Sequence, residues 1–188
     1  MDKLFKNYFQ LIQAADDCVN KHMIIPSLIL IYSAIDSASW LASENSSEEV
    51  SSRFKKWVNT WMLKHGKLKC SAEELYAARC GVLHTLTPNS MLSEKKGVRK
   101  IAYSWGKAKQ EKLEESIYAL SMSDNMVSIH LEDLFWCFRE GFADYLEYVF
   151  SSDEEKEKFL SKSGQHFANM EIEKMDEFLE ITRNIKQV

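Results

Sequence analysis

Ser71-Ala72-Glu73-Glu74-Leu75-Tyr76-Ala77-Ala78-Arg79-Cys80-Gly81-Val82-Leu83-His84-Thr85-Leu86-Thr87-Pro88 is the stretch on which the reading of this chain turns. Ser71 followed by Glu74 has the Ser-x-x-Glu form of a capping box, in which the two residues satisfy each other's free backbone N–H at a helix start. Pro88 disfavours helical backbone at the residue before it. A helix is therefore predicted to begin at Ser71 and to stop before Pro88, with Leu75, Tyr76, Val82 and Leu83 as its apolar positions. Within it, four residues separate an arginine, Arg79, from a histidine, His84.

Helical periodicity continues on the N-terminal side. Phe54, Trp57, Val58, Trp61 and Met62 recur at three- and four-residue steps after Ser47, Glu49 and Val50, and Gly66 suits the end of that helix. Before it, Met23 to Ala42 is apolar nearly all round, with Pro26 placed for the first turn of a helix running to about Ser43. An aspartate at mid-bilayer costs about 2.5–3.5 kcal/mol, so Asp36 and four serines make this stretch the central helix of a bundle rather than a membrane span. Leu4, Phe5, Tyr8, Leu11, Ile12, Ala15 and Val19 mark a first amphipathic helix that ends before Pro26.

Beyond Pro88 the period changes. Ile101, Tyr103 and Trp105 alternate with Lys100, Ala102 and Ser104 as in a half-buried strand, and Asn125 to His130 reads as another. Glu111 to Ala119 is ambiguous between helix and strand. The expectation is a small β-hairpin or three-stranded insertion near residues 97–131. Helices then resume over Leu131 to Phe150, Asp153 to Ser161 and Glu171 to Ile185. The fold class expected is mainly α, an up-and-down helical bundle with that insertion, in one domain spanning residues 1–188.

Composition agrees. Two prolines and six glycines in 188 residues, with 45% hydrophobic content, exclude a turn-rich β-sandwich, a collagen-like repeat and a disordered chain. Cys18, Cys70, Cys80 and Cys137 lie far apart, and the first residues contain no apolar run like a signal peptide, so a reduced, cytoplasmic protein without membrane association is expected. The net charge of −4 conceals an uneven distribution. Residues 1–52 hold three Lys/Arg against seven Asp/Glu, residues 53–112 fourteen against four, and residues 113–188 seven against seventeen. A basic middle between acidic flanks suits either an anionic ligand or the pairing of opposite surfaces within or between chains.

The Arg79-Cys80-Gly81-Val82-Leu83-His84 segment resembles the Arg-x4–6-His motif of the HEPN superfamily (higher eukaryotes and prokaryotes nucleotide-binding), and the likeness is strongest over residues 26–90. The resemblance implies a helical bundle that homodimerises to bring two motifs together across a cleft. In catalytic members it also implies a metal-independent endoribonuclease, commonly a toxin paired with an antitoxin or a phage-defence effector. Carried over by position, Arg79 and His84 would be the catalytic pair, the RNA 2′-hydroxyl the nucleophile and a 2′,3′-cyclic phosphate the product. Cys80 stands where active members commonly carry Asn, Asp or His.

The chemistry of these residue types is compatible with that role. Histidine can move a proton near neutral pH, and guanidinium can hold a phosphate through paired hydrogen bonds. The bland alternative is an Arg79 salt bridge to carboxylates and a His84 that caps helix-end carbonyls. Residues five apart point about 140° away from each other on an ideal helix, so either the long arginine side chain or a partner subunit must bring them together. Asp36, ionisable in an apolar helix, needs a partner, and Arg79 or His84 is expected to be it. Cys80 and His84 share a helical face, but a zinc site needs three or four ligands and no second Cys/His pair exists, so neither a metal nor another cofactor is expected. Lys95, Lys96, Arg99 and Lys100, followed by Tyr103 and Trp105, combine cations for phosphate with aromatics for bases, the equipment of an RNA-binding surface, although a solvated hairpin would look the same. The reading from sequence is thus an RNA-binding protein with the capacity for cleavage. Its rival is a non-catalytic module that binds a nucleotide or a protein.

Overall fold

The computed structural model describes residues 2–44, 47–92 and 97–163; the helix expected over Glu171 to Ile185 lies outside them, as do Lys95 and Lys96. Helix α1 (Asp2–Asn20) is followed by α2 (Ile24–Ala42), α3 (Val50–Trp57) and α4 (Ala72–Thr85). Strand β1 (Lys100–Ser104), helix α5 (Gln110–Ala119) and strand β2 (Met126–His130) come next, before α6 (Leu131–Phe150) and α7 (Asp153–Ser163). The mainly helical expectation stands.

Helix α2 packs against α1, α3, α4, α6 and α7, which explains why it is apolar on every side. It buries Leu28, Ile31, Tyr32, Ile35, Ala38 and Leu41. Its length and composition would also suit a membrane crossing, but half of its span is buried inside the bundle. The buried hydroxyls of Ser27 and Ser39 donate to the Met23 and Asp36 carbonyls at 2.8 Å, so these serines carry no unmade hydrogen bond into the core. Aromatic residues of α6 join the layers: Phe142 stacks on Tyr8 of α1 at 4.5 Å between centroids and on Phe138 at 6.0 Å. Burying one such side chain contributes about 1.5–3 kcal/mol, which makes this stack a main tie between α1 and α6.

Helix α3 does not end at Trp57. It runs on as a π turn (Val58–Met62) and a 3-10 turn (Leu63–His65), and Gly66 closes it with a φ of +71°. Helix α6 crosses there so closely that a Cβ on Gly141 would lie 2.8 Å from the Trp61 carbonyl oxygen. At the start of α4 the capping box forms as read: Glu74 N–H donates to Ser71 Oγ at 3.2 Å, and Ser71 N–H to Glu74 Oε2 at 2.7 Å.

The insertion is not a hairpin and has no third strand among the described residues. Strands β1 and β2 pair in parallel, with Ile101 opposite Val127 and Tyr103 opposite Ile129. Parallel strands cannot be joined by a tight turn and need a crossover of a dozen or more residues. Helix α5 provides it and resolves the ambiguous Glu111 to Ala119 as helix, with Ile117 as its buried residue. The Tyr103 hydroxyl meets that of Tyr32 at 2.5 Å, which locks β1 to α2. Trp105 lies past the strand end and is 44% exposed, so the alternation stops one residue earlier than the pattern suggests.

Candidate functional site

Helices α2 and α4 bring Asp36, Arg79 and His84 together. The Arg79 guanidinium donates from Nε at 2.7 Å and lies with Nη2 at 2.6 Å from the same Asp36 oxygen, Oδ2. Of the two partners expected for Asp36, the structure thus selects Arg79. The side chains are 15% and 18% exposed, so the pair is largely withdrawn from water and losing either partner is costly. Asp36 Oδ1 is buried without a hydrogen-bond partner.

The outward edge of the guanidinium faces His84. Nη1 donates to His84 Nε2 at 3.3 Å, and the Cys80 sulfur lies 3.9 Å from the same nitrogen. The 140° divergence along the helix is bridged by the length of the arginine side chain within a single chain. A guanidinium only donates, so in this contact His84 Nε2 is the acceptor. Burial would lower the Arg79 pKa, but the hydrogen bond and charge of Asp36 outweigh it and hold the group above its already high ordinary value. The Tyr76 ring lies 5.9 Å from the guanidinium carbon. Burial and then the neighbouring Cys80 push the Tyr76 phenol up against the opposing effect of Arg79, so it stays protonated near neutral pH.

His84 is presented by the way α4 ends. Leu86 adopts a left-handed φ of +54°, and the chain folds back so that Thr87 N–H donates to the Gly81 carbonyl at 3.4 Å. Thr85 Oγ1 bonds the same carbonyl at 2.9 Å and Thr87 Oγ1 at 2.8 Å. Any Cβ at position 81 would run into the Thr87 carbonyl oxygen, which accounts for a glycine in the middle of the Arg-to-His segment. His84 and Thr85 are exposed at this turn.

The basic middle resolves mainly into internal pairing. Lys55, Lys56, Lys64, Lys67 and Lys69 meet Glu73, Glu44, Asp144, Asp133 and Glu114 at 2.7–3.4 Å, most of these carboxylates coming from the acidic flanks. Arg99 is likewise engaged. Its Nε donates to Glu74 Oε1 at 2.6 Å and its Nη2 to Oε2 at 3.2 Å, tying β1 to the start of α4. Burial would raise the Glu74 pKa, yet the Arg99 and Ser71 hydrogen bonds hold it below its ordinary value. Lys100, Lys107, Lys109 and Lys112 form no ion pair with a described carboxylate. Lys100 Nζ donates to Asn89 Oδ1 at 2.7 Å, and Asn89 belongs to the turn that follows His84, so this cation borders the exposed end of α4.

Elsewhere, Asp133 pairs with Lys67, and Glu132 lies 3.8 Å from His130, so the carboxylates at the start of α6 make local contacts. No group of three or more His, Cys, Asp or Glu is placed to hold a metal among the described residues, and Cys80 and His84 have no third ligand there. Cys70 and Cys137 are buried, their thiols pushed up to about 12 and about 11, chiefly by burial. The chain matches no protein-family model, no curated protein and no solved structure, so its own geometry carries the functional reading.

Proposed function

We propose that the chain is a HEPN-like RNA-binding protein that acts as a homodimer and cleaves RNA without metal, as a toxin or phage-defence effector does. The observation that carries this reading is the Arg79 guanidinium, held from behind by Asp36 and directed at an exposed His84 across 3.3 Å. With Nε and Nη2 anchored on Asp36, the planar guanidinium keeps Nη1 at its outward edge, where it donates to a phosphate oxygen that takes the place of the imidazole contact. Neutral His84 then accepts the 2′-hydroxyl proton while the 2′-oxygen bonds to phosphorus. The bond from phosphorus to the 5′-oxygen breaks, and that oxygen takes a proton from solvent or from a second copy of the motif. The products are a 2′,3′-cyclic phosphate and a 5′-hydroxyl. Lys100, Lys107 and Lys109 supply the cationic approach for the RNA backbone.

A second reading rests on Cys80 directly after Arg79 and on the two guanidinium donors directed at one Asp36 oxygen, the pattern of a structural ion pair. In that reading the bundle binds a nucleotide or a protein partner and cuts nothing. One experiment separates the two. Purified protein in EDTA should cut unstructured RNA and leave a cyclic phosphate, and should scatter light as a dimer of twice 21.9 kDa. General acid–base help is worth about 10²–10⁴ in rate, so His84→Ala should lose at least about a hundredfold while its helical circular dichroism is unchanged. RNA that is bound but never cut between about pH 6 and 8, by the wild type and by Cys80→Asn alike, establishes the non-catalytic reading.

A further inference from the structure

A cleft of about 640 Å³ opens between the end of α2, α3 with its π turn, α6 and α7, and neither Asp36, Arg79 nor His84 lines it. Its volume is that of a small-molecule site. Two of its carboxylates are already held: Glu44 by Lys56 at 2.9 Å, and Glu155 by Lys158 at 3.0 Å. Its third, Glu48, acts by its charge to raise Lys56 and to offset part of the burial that lowers Lys162. Lys162 is committed to the end of α2, where it donates to the Trp40 carbonyl at 3.0 Å and to Ser43 Oγ at 2.8 Å.

One cation is left over. Arg53 forms no ion pair with a described carboxylate, and its Nε is buried without a hydrogen-bond partner. Trp57, one turn further along α3 on the same face, is 2% exposed, and its indole Nε1 is also buried without a partner. Both side chains line the cleft. Both N–H groups are closed off from water and so lie behind the cleft wall; what the cleft itself meets is the rest of the Arg53 guanidinium, a half-buried cation with no ion pair to a described carboxylate. The other lining is aromatic: Trp61 packs on Tyr145 at 5.7 Å and on Tyr148 at 5.5 Å. The π turn that places Thr60 and Trp61 in this wall is a local departure from the α-helix of a kind concentrated at functional sites.

We propose that this cleft binds a small organic oxyanion with a flat apolar body, a carboxylate or phosphate ester whose oxygens accept from the terminal nitrogens of the Arg53 guanidinium while its ring lies against Trp61 and Tyr148, beside the buried Trp57 indole. The site shares no residue with the Asp36, Arg79 and His84 group and stands whether or not the protein cuts RNA.

The test follows the indole N–H resonances of the five tryptophans in the full chain by ¹H–¹⁵N correlation spectra, with the Trp57 signal identified by its absence from Trp57→Phe. Titration with 3-phenylpropionate or phenyl phosphate should move that resonance saturably, and the tighter of the two tells carboxylate from phosphate ester. The neutral isostere 3-phenylpropan-1-ol should bind at least about tenfold more weakly, and Arg53→Gln should weaken the preferred anion by a similar factor. Failure of both anions to move the resonance at about 10 mM overturns the proposal. So does an equal response to the alcohol, or an Arg53→Gln affinity within about twofold of wild type.

Discussion

Replacing Asp36 by Asn removes the charge that holds Arg79 while nearly preserving volume. Two guanidinium nitrogens at 2.7 and 2.6 Å converge on one carboxylate oxygen, and both side chains are less than one-fifth exposed. An exposed ion pair is worth about 0–1 kcal/mol. Breaking a buried one by removing a single partner costs about 3–5 kcal/mol, because the remaining charge is left uncompensated. Asn keeps one acceptor oxygen, and a neutral hydrogen bond returns about 1 kcal/mol, so the expected loss is about 3 kcal/mol. For a chain of this size that is a fall of about 6–12 °C in Tm. Urea unfolding followed by tryptophan fluorescence and far-ultraviolet circular dichroism measures the loss in Asp36→Asn, Arg79→Met and the double variant. The double variant should be more stable than the sum of the singles implies, with a coupling of about 2 kcal/mol, since it leaves no orphaned charge. A single-variant loss below about 0.5 kcal/mol, or additivity within that margin, would refute the claim that Asp36 anchors Arg79.

Three further outcomes follow from the same geometry. Glu74 titrates below its ordinary value of 4.5 in the folded protein, so its contribution is complete above that pH and is lost as pH falls through the lower folded value. Glu74→Gln should therefore lower stability at neutral pH and flatten its decline below about pH 4.5 in acid titrations of urea midpoints. Gly141→Ala places a methyl 2.8 Å from the Trp61 carbonyl oxygen and should destabilise the fold by about 1–3 kcal/mol in the same urea assay. Charge reversal of Lys100, Lys107 and Lys109 to Glu should weaken single-stranded RNA binding and reduce its salt slope by roughly 0.7 for each phosphate no longer neutralised, and an unchanged slope would show these lysines to be a solvated face.

Local signals account for what was legible in advance. The capping box at Ser71 and Glu74, Pro26 in the first turn of α2, Gly66 at a positive φ and the onset of α6 at Leu131 all depend on neighbours within one turn of chain. Asp36 announced a buried partner for the same reason: a carboxylate in an apolar helix must be compensated somewhere. The parallel pairing of β1 with β2 had no such signal. Strand direction is set by where the intervening chain packs, and Glu111 to Ala119 carries too weak a period to declare itself a crossover helix.

The sequence by itself determined a helical bundle with a buried central helix, the bounds of α4, and an arginine and a histidine on that helix. Each of these follows from periodicity, capping and the cost of burying charge, which act over a few residues. Tertiary structure alone decided that Arg79 turns toward Asp36 and His84, that Arg99 belongs to Glu74, and that much of the basic middle is neutralised by acids from the flanks. The cleft beside Arg53 and Trp57 was equally hidden, since Trp57 read as an apolar position of a helix and Arg53 as one cation of the basic middle. Four separate helical elements build its walls, and no local pattern records which donors remain unsatisfied once distant segments have packed.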